Sequence, residues 1–180
     1  MTTVTEKGTP MYLIEVPGST KAVIVIQEWW GLNDQVKRMT KRYSEALNCT
    51  ALTIDFYRGK VAKEADEAKH LLDGLDWPQA VTDIENASTF LKSQGVAKVG
   101  AVGFCMGGAL VIAAASLLPE GTLAAGVPFY GVPPTSLCDP VQVKCPMQYH
   151  FGDLDTSHIS SKELATTYKA DLAAAGKDVS

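Results

Sequence analysis

KVGAVGFCMGGALVIAAASLL, residues 98–118, decides the fold. Residues 99–102 form a short apolar run that reads as a buried strand, and residues 109–118 read as a buried helix. Between them, Gly103-Phe104-Cys105-Met106-Gly107-Gly108 has the nucleophile-elbow pattern G-x-C-x-G, with cysteine where serine is more usual. The spacing has a physical basis. A strand turning straight into a helix holds the middle residue in a strained conformation, and glycines two before and two after it remove colliding side chains. The thiol then stands at a helix N-terminus, where the helix dipole favours thiolate over thiol. The amide of Met106 points the same way and can serve as an oxyanion donor. A Gly-rich turn with a buried, inert cysteine remains the alternative for this stretch.

Working outward, residues 11–16 (MYLIEV) read as an edge strand and residues 21–27 (KAVIVIQ) as a β-branched central strand. Asp34 is the expected N-cap of a helix whose inward face is Val36, Met39, Tyr43, Ala46 and Leu47. A strand at residues 50–55 follows, then a helix over 62–75 with Ala65, Ala68, Leu72 and Leu75 inward. Pro78 suits the first turn of a helix that runs to about Ser93 and buries Ala80 or Val81, Ile84, Ala87 and Leu91. Beyond the elbow, strands are expected at 123–130 and 145–151, and a last helix at 161–175 with Leu164, Tyr168 and Leu172 inward, closed by Gly176. Strands alternating with helices argue an α/β layered fold with a mostly parallel sheet, in one domain over residues 1–180. The chain stops after that helix, where a parallel sheet would be expected to add another strand.

Composition excludes several classes of function. Hydrophobic content of 46% and charged content of 20% are ordinary for a globular protein. A net charge of -4 gives no electrostatic case for nucleic acid or an anionic membrane. No run approaches a membrane span, and the amino terminus has no apolar signal region. Cys49, Cys105, Cys138 and Cys145 form neither a C-x-x-C pair nor a metal-like spacing. Free thiols, a cytoplasmic location, a monomer and no metal or cofactor are the expectations.

In a parallel sheet, functional groups collect at the carboxyl ends of the strands. Cys105 follows one such end, Glu28 a second, Arg58 a third, and Asp153 and Asp155 a fourth. Gln27-Glu28-Trp29-Trp30-Gly31, Asp55-Phe56-Tyr57-Arg58-Gly59-Lys60, the elbow, Phe129-Tyr130-Gly131-Val132 and Phe151-Gly152-x-x-Asp155 occur in this order. Together they resemble the dienelactone hydrolase (carboxymethylenebutenolidase) family of α/β-hydrolases, from about residue 10 onward. The resemblance implies a three-layer α/β-hydrolase sandwich that lacks its last strand and helix. It implies a cysteine hydrolase of small lactones or esters that works through a thioester, with a Cys/His/Asp triad and no metal.

Carried over by position, Cys105 is the nucleophile, Asp155 the acid that orients the histidine, and Glu28 the glutamate beside the resting thiol. The backbone amides of Met106 and Trp29 would form the oxyanion hole. Trp30, Arg58 and Tyr130 are candidate substrate contacts, although the tryptophans could equally be packing and Arg58 a structural hydrogen-bond donor. The family's catalytic histidine falls beyond Ser180, as does its neighbouring arginine. A second carboxylate-binding arginine falls near Ala65, so dienelactone itself is not the expected substrate. His70, His150 and His158 are the histidines present, and of these His158 lies nearest to Asp155 in sequence. Two other readings stay open: a non-catalytic homologue that keeps the pocket and binds or regulates, and a redox-responsive thiol.

Overall fold

The computed structural model describes residues 2–157 and 159–177. Six strands and five helices are built in chain order: β1 (Thr2–Glu6), β2 (Thr9–Ile14), β3 (Lys21–Ile26), α1 (Asp34–Leu47), β4 (Thr50–Ile54), α2 (Ala65–Asp73), α3 (Trp77–Ser93), β5 (Lys98–Phe104), α4 (Met106–Leu117), β6 (Ala125–Phe129) and α5 (Lys162–Ala174). Among the described residues they form one sheet in the order β1-β2-β4-β3-β5-β6. The β4-β3-β5-β6 block is parallel, while β2 pairs antiparallel with both β4 and β1. This is the mostly parallel α/β-hydrolase architecture expected, with helices on both faces.

The alternation of side chains along β3 explains the layering. Ala22, Ile24 and Ile26 enter the larger core with Ile84, Leu91 and Leu110 from α3 and α4. Val23 and Val25 enter the core on the other face, where Met39 and Tyr43 of α1 pack. Each fully buried isoleucine or leucine contributes about 1.5–3 kcal/mol, so a strand apolar on both faces belongs in the centre. α4 is buried along residues 106–116 and lies between the sheet and α5, against which Ile112 and Ala115 meet Tyr168 and Leu172.

Several expectations are corrected. The segment at 11–16 is not the edge, because β1 pairs outside it through a Lys7-Gly8 turn in which both residues have positive φ. The N-cap of α1 is Asn33, whose Oδ1 accepts from Val36 N–H at 3.1 Å. Its buried face is Val36, Thr40 and Ser44, and Leu47 is 57% exposed. The polar pair can be buried because Thr40 Oγ1 donates to Val36 O and Ser44 Oγ to Cys49 O, both at 2.8 Å. α2 is shorter than expected, and only Ala68 within it is fully buried. The segment at 145–151 follows β6 through two isolated parallel bridges, at Met147 and His150, rather than as a full strand.

Strand order sets the site. From β3 the chain moves outward to β4 and then returns across to β5, so β3 and β5 are neighbours with their connections leaving in opposite directions. A crevice opens at the carboxyl ends of such a pair. Glu28 follows β3 and Cys105 follows β5, which places both on that crevice.

Candidate active site

Cys105 is held at φ 55 and ψ -117, a strained conformation between β5 and α4. Strain of this kind costs about 1–3 kcal/mol and persists only where neighbours enforce it. The neighbours here are backbone atoms. Cys105 N–H donates to Phe129 O at 3.0 Å, and Cys105 O accepts from Ala109 N–H at 3.1 Å. A Cβ on Gly103 would lie 2.1 Å from Gly107 O. One on Gly107 would lie 2.6 Å from both Gln27 O and Ile26 O. The glycines of the motif thus let the elbow close and let α4 dock against the end of β3.

Burial and three neighbouring groups act on the sulfur. Burial pushes the Cys105 thiol above its ordinary value. The Met106 N–H, which faces the sulfur, opposes this, and the negative charges of Glu28 and Asp155 push the thiol further up. Desolvation and two carboxylates oppose the helix N-terminus and its one amide, which is in keeping with the resting thiol beside Glu28 that the resemblance implies. At rest Cys105 is a thiol, so any attack on a carbonyl needs a base at that moment.

Glu28 is half-buried and accepts a 2.9 Å hydrogen bond at Oε1 from the Tyr130 hydroxyl. Burial, and then that bond to Glu28, hold the Tyr130 phenol well above its ordinary value, so it remains a donor at neutral pH. Tyr130 itself sits at φ 37 immediately after β6. Its position in the sequence suggested substrate contact; the structure engages its hydroxyl with Glu28. Asp155 is held below its ordinary value, first by the Ser157 N–H at 2.8 Å and then by the Ser160 hydroxyl. Asp153, the other carboxylate of that loop, pairs instead with Lys162 at 2.6 Å. Of the two, Asp155 is the one whose charge acts on Cys105.

The Trp29 N–H donates no hydrogen bond among the described residues, while the Met106 N–H is directed at the Cys105 sulfur. Trp29 and Trp30 pack edge-on with centroids 5.4 Å apart, and Trp30 O accepts from Ala62 N–H. Arg58 is turned away. Its Nη2 makes 2.7 and 3.0 Å bonds to the carboxylate of Asp83, which is 2% exposed, and its Nη1 bonds Asp55 O. Arg58 and His70 line a cavity of about 370 Å³ that Cys105 does not line. His150 stacks on Phe129 at 4.4 Å, and His158 lies outside the described residues.

Sequence reasoning missed two features. Tyr57 comes close enough to Cys105 for their charges to couple, and its hydroxyl contacts Met106 Sδ at 3.3 Å. Its place just past β4 was the available signal. Cys105 also opens into a cavity of about 580 Å³ whose wall includes Trp77 but not Trp29 or Trp30. Trp77 is the first residue of α3.

A model of the dienelactone hydrolase family matches residues 10–180. The chain belongs to that family. It is 35% identical over 142 residues to Protein usf of Aquifex pyrophilus, covering 74% of this chain and 61% of that protein. It is 32% identical over 143 residues, with the same two coverages, to a protein of Aquifex aeolicus (strain VF5) named provisionally as a carboxymethylenebutenolidase. The chain thus spans about 61% of the length of these two relatives. Its fold is shared with a solved structure from Klebsiella pneumoniae subsp. pneumoniae MGH 78578, named provisionally as a dienelactone hydrolase. That likeness has a TM-score of 0.83 at 21% identity and covers 99% of this chain and 81% of that one. Among the described residues, no helix is long and apolar enough to cross a membrane.

Proposed function

We propose that this dienelactone hydrolase family member hydrolyses small lactones or esters through a thioester on Cys105. The supporting observation is the placement of Cys105 at a strained elbow, under the influence of Glu28, Asp155 and the Met106 amide. Glu28 takes the thiol proton as Sγ bonds to the carbonyl carbon. The electron pair of the C=O bond moves to oxygen, where the Met106 and Trp29 N–H groups stabilise it. Collapse reforms the carbonyl and breaks the ester C–O bond, and the leaving oxygen departs with the proton held by Glu28. Water then adds to the thioester, the C–S bond breaks, and the acid leaves as the sulfur regains a proton. Asp155, kept ionised by Ser157 and Ser160, has the role of orienting an imidazole that activates this water. Trp30 and Tyr130 are assigned to the substrate side, Tyr130 through its hold on Glu28.

The test is turnover of p-nitrophenyl butyrate by the wild type, Cys105→Ala and Cys105→Ser. Loss of roughly a thousandfold or more in kcat/KM in the alanine variant is expected. Equal rates in all three would end the proposal. A second reading, a binding protein that keeps the cavity without turnover, draws on one observation: among the described residues no histidine lines the cavity of Cys105. Sustained turnover dependent on Cys105 would dispose of it.

A further inference from the structure

The cavity into which Cys105 opens has a volume of about 580 Å³, within the range of small-molecule sites. Its wall is built from Leu72, Trp77, Met106, Val132, Ile159 and Leu164, and among the described residues the only charged side chain on it is Asp171. The Tyr168 hydroxyl, a polar group on the wall, is already spent on Pro140 O at 2.7 Å. Among the described residues no cation lines it to receive a carboxylate, and Arg58 is bound to Asp83 on a different cavity. A substrate carboxylate placed in this space would lose its hydration without a partner, and it would face Asp171 as a like charge.

We propose that this cavity is the acyl site and that it selects uncharged esters with an apolar acyl chain of several carbons. The assignment rests on Cys105 being the nucleophile. Cys105 lines this cavity, so an acyl group carried on its sulfur is placed there. Each methylene moved from water into such a wall raises kcat/KM by about two- to fourfold until the cavity is filled. A terminal carboxylate lowers it by about tenfold or more relative to a methyl group of similar size. The chemical class is thus a neutral medium-chain acyl ester rather than an anionic lactone.

Two measurements test this. The first compares kcat/KM for p-nitrophenyl acetate, butyrate and hexanoate with that for p-nitrophenyl hemisuccinate. A rise along the neutral series, with the hemisuccinate at least about tenfold below butyrate, is expected. The second needs no turnover. Cys105 is labelled with neutral hexyl methanethiosulfonate or anionic sulfonatoethyl methanethiosulfonate, with rates read from the Cys105 peptide and divided by those in urea-unfolded protein. The neutral reagent should be favoured by about tenfold or more. Thr135 is exposed on the cavity rim, so Thr135→Lys should fold normally and move that ratio toward the anionic reagent. A flat chain series with equal labelling by both reagents would overturn the inference, as would preference for the hemisuccinate. Turnover that survives Cys105→Ala would instead sink the thioester reading, while the labelling ratio would still decide what the cavity accepts.

Discussion

The phenol of Tyr130 donates a 2.9 Å hydrogen bond to Oε1 of Glu28, joining residues 102 positions apart across the ends of β6 and β3. β5 lies between those strands, so the bond spans the crevice in which Cys105 sits. If Tyr130 positions Glu28, Tyr130→Phe lowers kcat by roughly tenfold and leaves KM near its original value. If Tyr130 instead binds substrate, KM rises and kcat holds. Steady-state kinetics on a neutral ester separate the two.

The environment of Cys105 has a definite sign with pH. Its thiol lies above the ordinary value of 9.0, so alkylation by iodoacetamide should be slow at pH 7 and climb about tenfold per pH unit past that value. Glu28 is one of the charges that hold the proton on sulfur. Glu28→Gln removes that repulsion, favours thiolate, and should speed alkylation at pH 7 by roughly threefold. An unchanged or slower rate would show that Glu28 does not act on the sulfur.

Gly107 carries the docking of α4 against β3. A methyl group there would meet two carbonyl oxygens at 2.6 Å and Ile26 Cγ2 at 2.9 Å. Backbone cannot yield as a side-chain tip can, so Gly107→Ala should cost about 3 kcal/mol in urea denaturation. Ester turnover should fall as the elbow shifts. A stability loss under about 0.5 kcal/mol would contradict the packing described.

Arg58 separates structure from catalysis. Its guanidinium is 40% exposed while its partner Asp83 is 2% exposed. Arg58→Ala leaves a buried carboxylate with Thr9 and Gln79 as donors but no cation. The expected loss is about 2–3 kcal/mol, below that for a fully buried pair because solvent reaches the guanidinium. KM for neutral esters should be unchanged, and a several-fold rise would restore Arg58 as a substrate contact.

How much of this was legible in the sequence follows from the range of each interaction. The elbow is local: strand, cysteine, glycines and helix lie within 21 residues, and every element sits where the pattern placed it. β3 was legible because it is apolar on both faces. β1 was not, because Thr2, Thr3 and Thr5 are polar and exposed and declare themselves only by pairing with β2. The outward turn of Leu47 was hidden because Thr40 and Ser44 satisfy their own hydroxyls and can take the inward face. The bond between Tyr130 and Glu28, the capture of Arg58 by Asp83 and the Trp77 wall all depend on strand order and helix placement. Local spacing cannot supply those.

The central claim is that the sulfur of Cys105 bonds covalently to the acyl group. Acid-quenching the protein within milliseconds to seconds of mixing with p-nitrophenyl butyrate, then digesting it, locates that group by peptide mass. The account predicts one butyryl group on the peptide containing Cys105, released by hydroxylamine and absent in Cys105→Ala. A butyryl group on any other residue, or turnover in which Cys105 never carries one, would contradict it.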